Sequence, residues 1–372
     1  MATWNDALQD EIIEAQTDLM RLASATAEDL IEILDRTDAA IKAILLDLEI
    51  SGAVTDAQYA EIRRAQEQIA KLRAEAWGQL SIDLDDAVSK IAIASQDGVI
   101  AAILTATDGA IKPQVVATSS LISIASSRPF EGRLLSEWAA KLQADDVARF
   151  ARTIQLGMVQ GQGPAQIARD LFGDGGTASI SRRSVEAVVR TAINHVASDA
   201  QALFVAQNPY IKKEMYAATL DGRTTLICAS HDGKVFDAGT GPRPPLHYNC
   251  RSRRVPFLSV EYLAGDRPEV EATDSLARKA YVDAGKPKGG FERFRRQYFR
   301  ERVGSVPKAT SYGDWLKRRS AAFQDDVLGP ARAKLFREGG LRIDQFTTAG
   351  GRRLTLDELR RKHKRAFERA GL

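Results

Sequence analysis

Cysteine and histidine are scarce in this chain, with 2 and 4 residues respectively among 372. Two cysteines are too few for a disulfide framework, which indicates a reducing compartment or a metal site. No stretch of 18 or more apolar residues is free of charge, so no membrane span is expected. The first residues are acidic and lack the basic and apolar segments of a secretory signal. The remaining composition is ordinary for a globular protein, and its length favours two or three domains.

Charge is distributed unevenly along the chain. Residues 1–50 carry 12 acidic and 3 basic residues, whereas residues 251–372 carry 29 basic and 16 acidic residues. The two ends would present electrostatic fields of opposite sign and could bind different partners. The alternative is that both ends are solvated helix faces without a partner.

The first third of the sequence predicts long amphipathic helices. No Gly or Pro interrupts residues 4–50, and apolar residues recur there at steps of three and four. Further helices are predicted over 56–80, capped by Thr55, and over 82–107. Such long helices with short polar breaks indicate a helical arm or bundle.

A second helical block is predicted over 136–208. It includes a short helix that opens at Pro164 and ends at Gly173, because proline suits a first helical turn and glycine a helix end. A long helix from Ser181 keeps one apolar face, and His195 beside that face is expected to be a packed or solvent-edge residue. The face consists of Val185, Val188, Val189, Ala192, Val196, Ala200 and Phe204.

The pattern changes near Met215, where alternation, two Asp-Gly pairs and frequent Gly and Pro predict two to four short strands. An irregular loop is expected over 237–248. Beyond 258 the chain is basic, and the segment 354–372 predicts an amphipathic helix that buries Leu356, Leu359, Ala366 and Phe367.

The predicted fold class is therefore mainly α with a small β-hairpin and irregular-loop subdomain (α+β). The predicted units are an acidic helical arm or bundle over 1–115, a core with the hairpin and loop over 116–262, and a basic extension over 263–372.

Half of the histidines and both cysteines lie in one short window, from position 228 to position 250. Cys228 and His231 form a C-x2-H pair, His247 and Cys250 form an H-x2-C pair, and fifteen residues separate the two pairs. Such spacing lets two tight turns direct four side chains at one ion, and a thiolate–imidazole set favours zinc. His231 is the tentative ligand, because the turn at Asp232 can direct its imidazole outward. Two alternatives stay open: buried structural cysteines without metal, and a Cys228–Cys250 disulfide.

The same window resembles the signature region of the phage Mu F-like minor head proteins, also called phage head morphogenesis proteins. Their pattern is D-x-R-T, a cysteine, D-G-K-x-[FY], a glycine-containing loop, P-P-x-H and then C-R-[CS]. Upstream, Arg190 and Thr191 match a family A-R-T-E-x5-N segment in which this chain has Ala192 at the acidic position. The resemblance covers roughly residues 135–360. The matching residues are Asp221, Arg223, Thr224, Cys228, Asp232, Gly233, Lys234, Phe236, Pro244, Pro245, His247, Cys250, Arg251 and Ser252.

One departure concerns the metal. Many relatives have cysteine where this chain has Thr225, and a hydroxyl is a poor zinc ligand. A structural Zn²⁺ would then take Cys228, His247 and Cys250, with His231, water or no ligand in the fourth position. Without metal, Asp221, Arg223 and Asp232 would tie the turns by charge-assisted hydrogen bonds.

The resemblance implies a minor capsid protein of a tailed phage, located in the virion head near the portal and assembled in the host cytoplasm. It implies the portal protein and major capsid or scaffold proteins as partners, and a role in head morphogenesis, DNA packaging or ejection. The basic carboxy-terminal region is a candidate for sequence-independent contact with viral double-stranded DNA.

Two rival functions are weighed. A three-ligand zinc with open water would suit a virion-associated hydrolase or nuclease. The sequence contains neither H-E-x-x-H nor G-x-S-x-G, so no enzyme and no catalytic residue is predicted. The other rival is a general scaffold whose amino-terminal helices bind a partner other than the portal.

Overall fold

The computed structural model describes residues 4–48, 56–130, 132–257, 266–307, 309–348 and 351–372. It is mainly α-helical with two small three-stranded sheets, so the predicted fold class is confirmed. The helices are α1 (Trp4–Leu46), α2 (Asp56–Ala106), α3 (Thr118–Ser127), α4 (Leu135–Val159), α5 (Pro164–Phe172), α6 (Thr177–Gln207), α7 (Leu226–His231), α8 (Asp274–Asp283), α9 (Gly290–Arg300), α10 (Tyr312–Lys317), α11 (Ala321–Leu328), α12 (Pro330–Arg337), α13 (Leu356–Lys362) and α14 (Lys364–Arg369). The strands are β1 (Lys213–Ala217), β2 (Leu220–Asp221), β3 (Val235–Asp237), β4 (Arg253–Phe257), β5 (Asp266–Val270) and β6 (Val303–Pro307).

The two amino-terminal helices form a hairpin that packs along α6. Helix α2 runs unbroken for 51 residues, so the predicted interruption between residues 80 and 82 is wrong. Nothing at Ser81 ends a helix, and Leu80 and Leu84 on either side of it are both buried. The predicted cap Thr55 lies outside the described residues.

The hairpin is docked along its length, so it is part of a bundle. Near its turn, Ile41, Leu45 and Ile69 join an apolar cluster with α4 and α5. At the other end, Leu8 and Ile12 share the largest core with α6 and with Val255 of β4. Residues of the predicted units 1–115 and 116–262 thus pack in one core.

Helix α6 is the central helix of this core. All seven apolar residues that the sequence assigned to its buried face are at most 4% exposed. The helix begins four residues earlier than predicted, at Thr177, because Gly176 precedes it. His195 lies at the edge of this face with a side chain 12% exposed, near Asp199, and its ring packs on Phe130.

Length and apolar composition alone would allow Ala60–Ala106, most of α2, to cross a membrane. In this structure the same helix packs on α1, α3, α4 and α6. Core helices of globular proteins often have these properties.

The two sheets lie between the bundle and the carboxy-terminal helices. In the first sheet β1 is central and pairs antiparallel with β3 and with β4, so that Met215 lies opposite Val235 and Val255. In the second, β5 pairs parallel with β2 and antiparallel with β6. The predicted unit boundary at 262/263 lies outside the described residues.

Helices α10 to α14 surround a separate apolar cluster that includes Trp315, Phe323, Phe336 and Phe346. The segment 354–372 forms two short helices instead of the single helix predicted, with the break at His363, whose backbone leaves the helical region. Leu359, Ala366 and Phe367 are buried as expected. Leu356 is 38% exposed, so its predicted burial is wrong.

Candidate metal centre in the Cys/His loop

Cys228 lies on the short helix α7, between β2 and β3. Thr225 precedes the first residue of the helix, and Asp232 follows its last residue. Gly233 follows with φ +77°, the left-handed conformation that commonly ends helices and that glycine adopts without strain. The chain then reverses into β3, which brings Cys228 beside β1.

His247 and Cys250 lie in the loop that joins β3 to β4. The Pro244–Pro245 peptide bond in this loop is cis. Gly241 has φ +76°, and a Cβ atom there would lie 2.4 Å from the Phe236 ring, so the turn requires glycine. The loop therefore packs tightly against β3.

Helix α6 holds the loop through polar side chains on its otherwise apolar face. The Asn194 amide donates a hydrogen bond to the carbonyl of Cys250 at 2.7 Å, and the backbone amide of Asn249 donates to Oγ1 of Thr191 at 3.0 Å. Sequence reasoning singled out Thr191 but missed Asn194. The available signal was an amide side chain beside the apolar stripe of a long helix.

The structure brings Cys228, His247 and Cys250 together, and we call these three residues the Cys/His cluster. Their donor atoms all lie within 4.8 Å of one another. The Cys228 sulfur is 3.2 Å from Nε2 of His247 and 3.7 Å from the Cys250 sulfur. Both cysteines are free thiols, buried to 1% and 2% exposure. On the other side of the imidazole, Nδ1 donates to the Tyr248 carbonyl at 2.7 Å, which turns Nε2 toward the sulfurs.

The electrostatics of the cluster favour one thiolate. A hydrogen bond from the Cys250 thiol, and a second from His247, lower the pKa of Cys228 despite its burial. The pKa of Cys250 is raised, first by that same hydrogen bond and then by burial. Burial opposes protonation of His247, but its hydrogen bond to Cys228 raises the pKa of the imidazole above the usual value.

The donor set fits a zinc ion. Two thiolates bound tetrahedrally at about 2.3 Å from zinc would lie about 3.8 Å apart, close to the observed sulfur separation of 3.7 Å. Sulfur and imidazole ligands favour zinc over calcium or magnesium. The Nδ1 hydrogen bond to a backbone carbonyl is the usual support for a zinc-binding histidine. Cys228, His247 and Cys250 would hold the ion.

The sequence named His231 as the tentative fourth ligand and Thr225 as a poor one. His231 does not join the cluster: its ring packs beside Tyr216 and Phe236, with centroid separations of 5.5 and 6.4 Å. Burial, and then the charge of Lys234, lower the pKa of His231. Oγ1 of Thr225 is buried and has no hydrogen-bond partner within the described chain. The chain therefore supplies three strong zinc donors. It also has an unpaired hydroxyl, on Thr225, three residues before Cys228.

The aspartates of the motif tie the surrounding turns together. Asp221, predicted to act with Arg223, instead pairs mainly with Arg251, whose Nη2 lies 2.7 Å from Oδ1 and whose Nη1 contacts Oδ2. Burial alone would raise the pKa of Asp221, but Arg251 lowers it below its usual value. Arg223 contributes its backbone amide to Oδ1, and its guanidinium lies over the ring of Phe299.

The buried carboxylate of Asp232 accepts four hydrogen bonds. Oδ1 accepts from the amide of Ala218 at 2.7 Å, and Oδ2 accepts from the amide of Tyr312 at 2.9 Å. The guanidinium of Arg267 binds both oxygens, at 3.0 and 3.1 Å. This carboxylate therefore joins the motif to β5 and to α10, contacts that the motif spacing alone does not predict.

Comparison with known proteins agrees with this geometry. Residues 148–255 match the family described as Phage Mu protein F like protein. That range runs from α4 to β4 and includes the whole Cys/His cluster. No curated protein and no solved structure matches the chain. Through residues 148–255, the chain is thus similar to the phage Mu protein F like family, a family of phage head morphogenesis proteins.

Proposed function

We propose that this chain is a minor head protein of a tailed phage that binds the portal protein at the portal vertex during head assembly. The observation that carries the proposal is the family match over residues 148–255, a range that contains buried hydrogen bonds from Asn194 to the loop and from Ala218 to Asp232. A rigid core of this kind suits docking, because little conformational entropy is lost on binding.

Co-expression with the portal protein encoded by the same phage tests this function. We expect the full chain to co-sediment with portal rings and to be detected by mass spectrometry in purified virions. A chain that stays at the top of the gradient and is missing from virions would contradict the proposal. A chain that binds scaffold but not portal would favour the scaffold alternative.

Within this function, we propose that Zn²⁺ bound by the Cys/His cluster locks the loop to α7. A bound metal adds folding free energy that these short segments cannot obtain from their own packing. Both sulfurs are almost completely buried, so a substrate has little access to them. That burial favours a structural ion over a hydrolytic one, and no second function is proposed.

Elemental analysis of the purified chain is expected to find about one zinc per chain, since one site is formed. His247→Ala and Cys250→Ser should each lose most of the zinc and lower the melting temperature, because each removes a strong donor. His231→Ala is the matched control and should keep its zinc, since His231 lies outside the cluster. Zinc-free protein from zinc-supplemented expression would overturn the metal proposal, and loss of zinc in His231→Ala would overturn the assigned ligand set.

A further inference from the structure

Helices α8 and α9 form a helical hairpin at the surface of the carboxy-terminal region. Residues 274–302 carry nine Lys and Arg against four Asp and Glu. No residue of α9 is fully buried. One side of the helix nevertheless carries four half-buried aromatic residues and a half-buried arginine. Helix α9 contacts α8 through its half-buried side, so its exposed side is free to contact a partner.

The exposed side of α9 is basic, whereas its half-buried side is mainly aromatic. At 3.6 residues per turn, Arg293, Arg296 and Arg300 fall within an arc of roughly 60°. All three are exposed, and the other exposed positions on this side are Glu292 and Gln297. The half-buried side carries Phe291, Phe294, Arg295, Tyr298 and Phe299.

The aromatic side is already occupied. Phe291 and Phe294 pack on Tyr281 of α8, with ring centroids 5.6 and 5.4 Å apart. Guanidinium groups lie over two of the rings: Arg278 lies 4.1 Å from the Phe291 ring and Arg302 lies 3.5 Å from the Tyr298 ring. Stacking on bases or entry into a lipid layer would have to displace these contacts.

The basic side, by contrast, has exposed arginines without ion-pair partners in the described part of the chain. Within the described ranges, Arg293, Arg296 and Arg300 form no ion pair, whereas Arg295 on the other side pairs with Asp274 at 2.5 Å. Lys286 and Lys288, in the turn between the helices, are also exposed and form no ion pair with a described residue. Three cations of α9 and two of the turn before it thus have no counter-ion among the described residues, and we call these five residues the basic edge of the hairpin.

We infer that this edge, Lys286, Lys288, Arg293, Arg296 and Arg300, binds the phosphate backbone of duplex DNA without reading its sequence. The inference rests on the proposed function, which places the chain where packaged DNA passes. Contact with phosphates needs only cations and is independent of base identity.

Other partners fit this surface less well. A protein interface normally has an apolar centre, and the outward side of α9 carries only charged and amide side chains. Single strands are bound by aromatic stacking, and an interfacial helix inserts its apolar face into lipid, but here guanidinium groups lie over two of the rings. The exposed arginines can contact phosphates, whereas the aromatic rings are engaged within the chain. This arrangement favours duplex DNA over a single strand or a membrane.

The test is a binding titration of the full chain with a 30-base-pair duplex over a series of salt concentrations. We expect Arg293→Gln/Arg296→Gln/Arg300→Gln to weaken binding at least tenfold at low salt. The slope of log K against log salt should fall in magnitude by about 3, at about 0.9 per phosphate contact. The matched control, Arg361→Gln/Lys362→Gln/Lys364→Gln, removes the same charge from exposed positions of α13 and α14 and should keep most of the affinity and slope.

Equal losses in the two triple variants would show that net charge alone binds DNA and would overturn the assignment to α9. Tighter binding of a single strand, or binding only of anionic phosphatidylserine vesicles, would also overturn it. Co-sedimentation of the α9 variant with portal rings, measured in parallel, separates the two proposals. Portal binding without DNA binding by the wild-type chain contradicts only this inference, and the reverse result contradicts only the portal function.

Discussion

Replacing Arg73 with methionine is expected to lower the free energy of unfolding by about 3–5 kcal/mol, the typical cost of breaking a buried ion pair. The Arg73 side chain is completely buried, and its guanidinium binds Asp38 at 2.6 Å and Asp146 at 2.7 to 2.8 Å. It also lies 4.1 Å from the ring of Phe150. Removing the cation leaves carboxylates in the core with too few partners, since among the described residues only Trp77, Ser181 and Arg149 otherwise reach Asp146.

Denaturant unfolding of the variant measures this loss, and two further variants control it. Lys71→Met removes an exposed cation two residues away on the same helix and should change stability by less than about 0.5 kcal/mol. Adding Asp146→Asn to Arg73→Met should recover part of the loss, because the uncompensated charge is neutralised. Wild-type stability in Arg73→Met would show that the ion pair does not hold the hairpin to α4.

Asp232→Asn is expected to cause the second large loss, again about 3–5 kcal/mol by the same reasoning. Each oxygen of Asp232 accepts two hydrogen bonds, so either orientation of an asparagine would direct its NH₂ group at two donors. Arg267 would also keep a buried charge without a counter-ion. We expect a lower melting temperature and faster hydrogen exchange in α10, whose Tyr312 amide loses its acceptor.

Asp237→Asn is the matched control for this variant. The Asp237 side chain is 75% exposed and pairs with the half-exposed Lys213 at 3.3 Å, so its removal should change stability by less than about 1 kcal/mol. If Asp232→Asn leaves exchange in α10 unchanged, the proposed link between the motif and the carboxy-terminal helices is wrong.

The sequence predicted those features that local spacing determines. The buried face of α6 follows from helical periodicity, and all its assigned residues are buried. The meeting of Cys228 with His247 and Cys250 follows from two short spacings within one stretch of the chain. Such patterns require no knowledge of distant chain segments.

The features that were missed depend on long-range contacts or on weak local signals. Arg267 is 35 residues from Asp232, and Arg73 is 73 residues from Asp146, so neither partner is visible in a local pattern. From the sequence alone, Arg73 cannot be distinguished from the solvent-exposed charged residues of the same helix. Helix α7 is too short for periodicity to reveal, and the break at His363 has no Gly or Pro to mark it.

The unbroken length of α2 restricts how related chains can differ in length. Arg73 binds carboxylates in the first half of this helix, and Gln96, further along the same helix, binds both the amide and the carbonyl of Val116. Deleting one residue between them would rotate Gln96 by about 100° and move it about 1.5 Å along the axis. Insertions and deletions inside α2 should therefore occur in steps of seven or eleven residues, which restore the same face after about two or three turns, and should be matched by length changes in the segments that α2 contacts.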